Sequence, residues 1–343
     1  MALLLDRRGH EITITEEVVK AAVENSGNGK EIMALLLDRQ GDDIPITVTV
    51  NDGWTLSHWA SWNGHLNIAK LLIEKGASVT AIDQYGWAPL HLASWNGYID
   101  VFKLLVEHGA GIAVPTTDGR TPLYLAAENG HIDVVKLLID KGASVTAIDQ
   151  QGWAPLHLAS QNGHTYVVDL LIEYGAGIAV ITEDGATPLH LASLNGHINI
   201  AKLLIQNGAS VTAIGHDGAT PLHWASANRR IDMVKLLIEK GASVTAIDQY
   251  GWAPLHLASQ NGHIDVVKLL IKYGASVTTI DQHGATPLHL ASLNGHSNVV
   301  DLLIDEGAST IARTHNRGWG NAIALRITEW TCCYRQAAYR RGC

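Results

Sequence analysis

Apolar and polar positions along most of this chain alternate in bursts that suit pairs of short helices. In residues 84–116, "PLHLASWN" gives about two helical turns beginning at Pro89, whose missing N–H costs nothing in a first turn. A second apolar run starts near Ile99 and places Val101, Leu104 and Leu105 on one helical face. Gly97 and Gly109 follow the two runs and can take the left-handed conformation that closes a helix. "AGIAVPTTDG" then crosses onward as an extended, turn-rich segment. Neither helix is long enough to be stable alone in water. Each must bury its stripe against a neighbour, at about 1.5–3 kcal/mol for each fully buried Leu, Ile or Val.

The same pattern returns along the chain. "QYGWAPLHLASWNGYID" (84–100) recurs as "QYGWAPLHLASQNGHID" (249–265) and more loosely as "QQGWAPLHLASQNGHTY" (150–166). The offsets are multiples of 33, and Gly53, Gly86, Gly119, Gly152, Gly185, Gly218, Gly251 and Gly284 mark every 33rd position. The first unit reads "GWTLSH" where later ones read G-x-[AT]-P-L-[HY], and "LLIEKGAS" or a close variant ends each unit. A period in this range means a solenoid in which each unit buries its apolar face on the next. Eight units fill residues 51–314.

"TPLHLASLNGHINIAKLLIQNGA" (187–209) resembles the ankyrin repeat, with its T-P-L-H-x-A signature on a 33-residue period. The resemblance implies an all-α solenoid of helix–turn–helix units with β-hairpin loops. It further implies protein–protein recognition rather than catalysis. Residues 1–50 are expected to form a degenerate helical cap, since "MALLLDRRGHE" (1–11) recurs as "MALLLDRQGDD" (33–43). Such leucine-rich leaders resemble those preceding ankyrin arrays in fungal proteins, including NACHT-containing sensors. That gives an alternative expectation, a recognition or autoinhibitory fragment of a larger sensor. Residues 315–343 read as a failing ninth unit followed by a basic tail without ankyrin character.

Composition narrows the setting. The chain is 47% apolar and 17% charged, with an aliphatic core and a single Phe, Phe102. The net charge of −9 argues against a nucleic-acid-binding surface. Only the tail 315–343 is basic, with Arg317, Arg326, Arg335, Arg340 and Arg341 against Glu329. All three cysteines, Cys332, Cys333 and Cys343, lie there too, so a disulfide framework is not expected. A cytoplasmic or nuclear location is expected instead. No stretch is long and apolar enough to span a membrane, and the N-terminal apolar run is too short for a signal peptide.

Eighteen histidines invite a metal or general-base reading, but the repeat accounts for most of them. His58, His91, His157, His190, His223, His256 and His289 occupy the T-P-L-H slot, with Tyr124 in the remaining unit. His65, His131, His164, His197, His263 and His296 follow the helix–helix turn. The resemblance implies that these rings bond backbone groups of neighbouring loops. Ser61, Ser94, Ser160, Ser193, Ser226, Ser259 and Ser292 read as inner-helix fillers bonded to a carbonyl one turn back. "GNGK" (27–30) lacks phosphate-loop spacing. No catalytic residue, metal ligand, cofactor or small-molecule substrate is expected.

The resemblance places partner contacts on hairpin tips and exposed inner-helix positions of the concave face. In this sequence the slots chosen are Trp54, Trp62, Gln84, Tyr85, Trp87, Trp95, Arg120, Trp153, Tyr250 and Trp252. Trp, Tyr and Arg dominate interface hot spots. The competing expectation is that the tip tryptophans only pack on adjacent hairpins. Where Trp87, Trp153 and Trp252 stand, Ala88, Ala154 and Ala253 replace the helix-capping Thr, an expected cost of about 0.5–2 kcal/mol each. The expected product is a monomeric scaffold for a protein partner.

Overall fold

Each proline of the repeat phrase opens a helix. In the computed structural model, Pro89–Asn96, Pro122–Glu128, Pro155–Asn162, Pro188–Asn195, Pro221–Ala227, Pro254–Gln260 and Pro287–Leu293 all begin on it. Leu56–Trp62 takes the same place in the first unit. Each is followed by a nine-residue partner, from Leu66–Glu74 in the first unit to Ser297–Asp305 in the eighth. The structure describes residues 51–308 continuously, together with Glu17, Ala21 and Thr49. The expected cap (1–50) and the failing ninth unit and tail (315–343) lie outside the described residues.

The helices are held by burial, not by their own length. In the second unit Leu90, Ala93, Val101, Phe102 and Leu105 are all at most 1% exposed. They belong to one core that runs through all eight units. First helices of successive units pack more extensively on one another than second helices do. This curves the stack with the first helices on its inside. Exposed charges such as Asp133, Lys136 and Asp140 lie on the second helices.

The loops carry no sheet among the described residues. An isolated bridge joins Thr49 to Thr55. Each tip closes like a hairpin, as where the Asp83 N–H donates to the Trp87 carbonyl at 2.9 Å. Successive tips are linked by one backbone bond, Gln84 to Asp52, Thr117 to Tyr85, Gln150 to Asp118, and onward to Gln282 and Tyr250.

The turn between the two helices needs a left-handed residue. Gly97 supplies it with φ 74°, and a Cβ there would run into the His131 ring of the next unit. In unit six Arg229 holds the same place at φ 56°, a conformation that costs a non-glycine residue about 1–2 kcal/mol. Its exposed ion pair with Asp265 (2.9 Å) offsets well under 1 kcal/mol of that. Arg229→Gly is therefore expected to stabilise the array by about 0.5–1 kcal/mol. A lowered thermal midpoint would contradict this account.

Candidate functional site

The concave face is framed by histidines and aspartates before any aromatic residue is considered. The T-P-L-H imidazole accepts at Nδ1 from the backbone N–H that opens its own helix, as for Ala88 to His91 at 2.9 Å. Nδ1 must then be the bare nitrogen, so Nε2 carries the proton and donates to the next unit. Its acceptors include the carbonyls of Trp87 (from His58, 2.9 Å), Ala219 (from His190, 3.1 Å) and Trp252 (from His223, 2.9 Å). Burial pushes the His157, His190 and His223 pKa values down to about 4, with the accepting carbonyls opposing. These rings are neutral structural bonds.

The second histidine row ties units in the opposite direction. His131 Nε2 bonds the Trp95 carbonyl at 2.9 Å, and His197 the Gln161 carbonyl at 2.9 Å. In unit six Arg230 stands in this slot and donates Nε to the Leu194 carbonyl at 3.0 Å. Ala88, Ala154 and Ala253 thus retain half of the expected cap, because the histidine still satisfies one N-terminal N–H. The serine expectation holds at Ser94, which donates to the Leu90 carbonyl at 2.7 Å. It fails at Ser61, Ser160, Ser193, Ser226 and Ser259, whose buried hydroxyls make no such bond. These side chains act as small fillers alone.

Four aspartates that sequence reasoning passed over hold the tips. Asp83 Oδ1 accepts from the Tyr85 and Trp87 N–H groups at 2.8 Å each, and its Oδ2 from the Trp54 indole at 3.0 Å. Asp281 repeats this, accepting the Trp252 indole at 3.0 Å. Asp149 accepts the Tyr124 hydroxyl at 2.6 Å. Asp248 has Ala219 twenty-nine positions back, where Asp83 and Asp281 meet Trp54 and Trp252, and its buried Oδ2 finds no partner. Burial raises the Asp248 pKa to about 6, against the lowering effect of the Trp252 and Tyr250 N–H groups, with Asp217 and Asp281 adding repulsion. The signal was available: an aspartate recurs three residues before the marker glycine.

On this frame sits an apolar ridge. Trp54 and Trp62 lie 5.9 Å apart between ring centroids, as do Trp87 and Trp95. Trp87, Trp95 and Trp153 pack on Tyr124, Leu125 and Leu158. Trp153 also packs on the next cluster, which holds Leu191, Leu194 and Trp224. The packed ridge therefore runs from unit two to unit six, filling the space left by Ala186 and Ala219, and the Trp54–Trp62 pair occupies the equivalent positions of unit one.

The predicted residues divide into two groups. Trp62 and Tyr85 are exposed, at 40% and 54%. Trp54, Trp87, Trp95, Trp153, Tyr250 and Trp252 are half-buried in the ridge or the tips. Arg120 is drawn aside, with Nε 2.7 Å from Asp118 Oδ2 and its guanidinium 5.9 Å over the Tyr124 ring. Gln84 is exposed but also donates to Asp52 Oδ1 at 2.7 Å, linking two tips. The inner-helix Trp224, 7% exposed, belongs to the ridge though its sequence slot reads as core. Among the described residues no three His, Cys, Asp or Glu side chains converge as a metal site, and no helix is long and apolar enough to cross a membrane.

Family comparison agrees with this geometry. The model described as ankyrin repeats (3 copies) matches residues 19–116, 110–182, 176–248 and 245–314. A domain of unknown function (DUF7104) matches residues 3–33. No curated protein matches the chain.

Proposed function

Because the chain belongs to the ankyrin-repeat family, whose members are generally protein–protein interaction modules, we propose that it is a non-enzymatic scaffold holding a protein partner on its concave face. The observation that carries this reading is the apolar ridge from Trp87 to Trp224, with the Trp54–Trp62 pair in the preceding unit and Trp62 and Tyr85 exposed. A stiff stack presents these rings without an ordering cost at the moment of binding. Excess negative charge outside the basic tail favours a partner with basic or mixed surface. The confinement of cysteine to Cys332, Cys333 and Cys343 supports work in the cytoplasm or nucleus. The sensor-fragment alternative rests on the leucine-rich leader alone and is secondary.

The test uses residues whose indoles are not committed to the tip aspartates. Trp62→Ala, Trp87→Ala and Trp95→Ala are each expected to cost about 2 kcal/mol or more of partner affinity. Affinity capture with wild type and with the triple variant reads this out. A partner list unchanged by the three substitutions, with the fold intact by circular dichroism, would remove the ridge from consideration.

A further inference from the structure

Six isoleucines on the loops take no part in the core or the ridge. Ile82, Ile148, Ile181, Ile214, Ile247 and Ile280 are 49–66% exposed and share one register of the 33-residue period. Each ends a segment whose side chains alternate in and out. Ser78, Thr80 and Ile82 face solvent while Val79 and Asp83 are buried. The outward Ser-Thr-Ile set recurs at 144, 146 and 148, at 210, 212 and 214, at 243, 245 and 247, and at 276, 278 and 280. The other two loops present Gly111, Ala113 and Pro115, and Gly177, Ala179 and Ile181. No charged residue occupies any of these outward positions.

The polar atoms of the strip are turned inward on themselves. Ser144 and Thr146 hydroxyls pair at 3.1 Å, and the Ser210–Thr212, Ser243–Thr245 and Ser276–Thr278 pairs each lie at 3.0 Å. What remains outward is β-branched and uncharged. Seven loops at helix-packing spacing, each about four extended residues wide, give a strip on the order of 700 Å². A standard protein–protein interface takes about 800 Å² from each partner. An uncharged surface of this size, with an exposed isoleucine on six of its seven loops, suits an interaction site.

We propose that this strip is a self-association surface, covered by the same strip of a second copy of the chain. Two observations single out that occupant. A row of isoleucines at a fixed pitch is matched along its whole length by an object of the same pitch, and a second copy has it by construction. The chain is also acidic, −9 overall and more so outside its basic tail, so two copies repel except where they meet on a carboxylate-free face. A two-fold contact lays the strips antiparallel, and a periodic strip reads the same in both directions. This departs from the monomer expected from the sequence and stands apart from the aromatic ridge.

The full chain is examined by sedimentation equilibrium up to about 100 µM, above the µM dissociation constants of the weakest interfaces of this size. The wild type is expected to dimerise, and to hold or tighten as NaCl rises from about 0.1 to 0.5 M and screens the repulsion. Ile148→Lys, Ile214→Lys and Ile247→Lys together are expected to weaken the dimer by at least about 100-fold by burying charge in the contact. The corresponding serine variants are expected to weaken it at least about tenfold through lost apolar surface. The thermal midpoint should change little, because all three sites are exposed. The Trp62, Trp87 and Trp95 variant should stay dimeric, which separates this contact from partner binding. A monomeric wild type at both salt concentrations, a dimer dissociated by salt, a dimer indifferent to the lysine variants, or a strip that captures only a different protein would each overturn the proposal.

Discussion

Lowering the pH from 7 to about 4 is expected to remove most of the stability of this array, with the loss beginning near pH 6.5. The cause is the row of T-P-L-H imidazoles. Burial lowers the pKa values of His58, His91, His157, His190, His223 and His256, and those of His157, His190 and His223 reach about 4. The unfolded chain then binds protons that the folded chain refuses. A depressed histidine therefore contributes stability that is present above pH 6.5 and lost as pH falls toward its folded value. Each of the three rings near 4 accounts for about 3 kcal/mol by that point. Together they are on the order of 10 kcal/mol, comparable with the whole stability of a typical domain.

Asp248 works in the opposite direction. Its pKa is raised to about 6, so its contribution grows as pH falls below that value, but it is one group against eight histidines, since burial lowers His164 and His263 too. Guanidinium unfolding followed by circular dichroism at pH 7.5, 6, 5 and 4.5 checks the balance. A midpoint that does not move across this range would mean that the imidazoles are not buried neutral. His190→Gln adds a sharper readout. It should lower stability at pH 7.5, and its pH curve should be flatter by the share of one ring.

The second large effect is expected at the third-to-fourth unit interface. Asp149→Ala removes the acceptor of three donors, namely the N–H groups of Gln151 and Trp153 at 2.9 Å each and the Tyr124 hydroxyl at 2.6 Å. Tyr124 is only 1% exposed, so its hydroxyl would be left buried with its main acceptor gone. A charge-assisted bond contributes about 1.5–3 kcal/mol and a stranded donor costs a comparable amount, so a loss of about 3–5 kcal/mol is expected. In a Tyr124→Phe background the same substitution should cost about 1.5–3 kcal/mol less. Solenoid stability is a sum over neighbouring units, so weakening one interface should also broaden or split the unfolding transition. A cost below about 1 kcal/mol would show that the tip does not depend on its aspartate.

Much of this was readable in the chain because the repeat signal is local. Proline, leucine and glycine at fixed spacing place every helix of residues 51–308 within its unit, and the boundaries of Ile99–Glu107 match the expected start. The histidine bonds were implied by the family resemblance. What escaped was set by contacts between residues nearly one repeat apart in the chain. Asp83 looks like an ordinary turn aspartate until the Trp54 indole, twenty-nine positions back, reaches its second oxygen. Ile82 and Phe102 are both apolar, yet the first is 59% exposed and the second 0%. Only the in-and-out alternation of the loop separates them. Trp224 escaped for the converse reason, since its inner-helix slot usually carries leucine and its role in the ridge depends on Ala186 and Ala219 being small.

The histidine bonds that join units span between 29 and 36 residues, from His58 with the Trp87 carbonyl to His131 with the Trp95 carbonyl. Each therefore joins a unit only to its immediate neighbours. Length is consequently a free parameter of this molecule: adding or removing 33 residues in register leaves every remaining junction with its bonds. Not every junction is equivalent as a splice point. A cut that separates Trp54 from Asp83, or Tyr124 from Asp149, strands a donor and an acceptor. Thr116, Thr182 and Gly215 stand where other units carry the aspartate, so joints made there break no such pair. Gene duplication within this chain would meet the least resistance at those three seams.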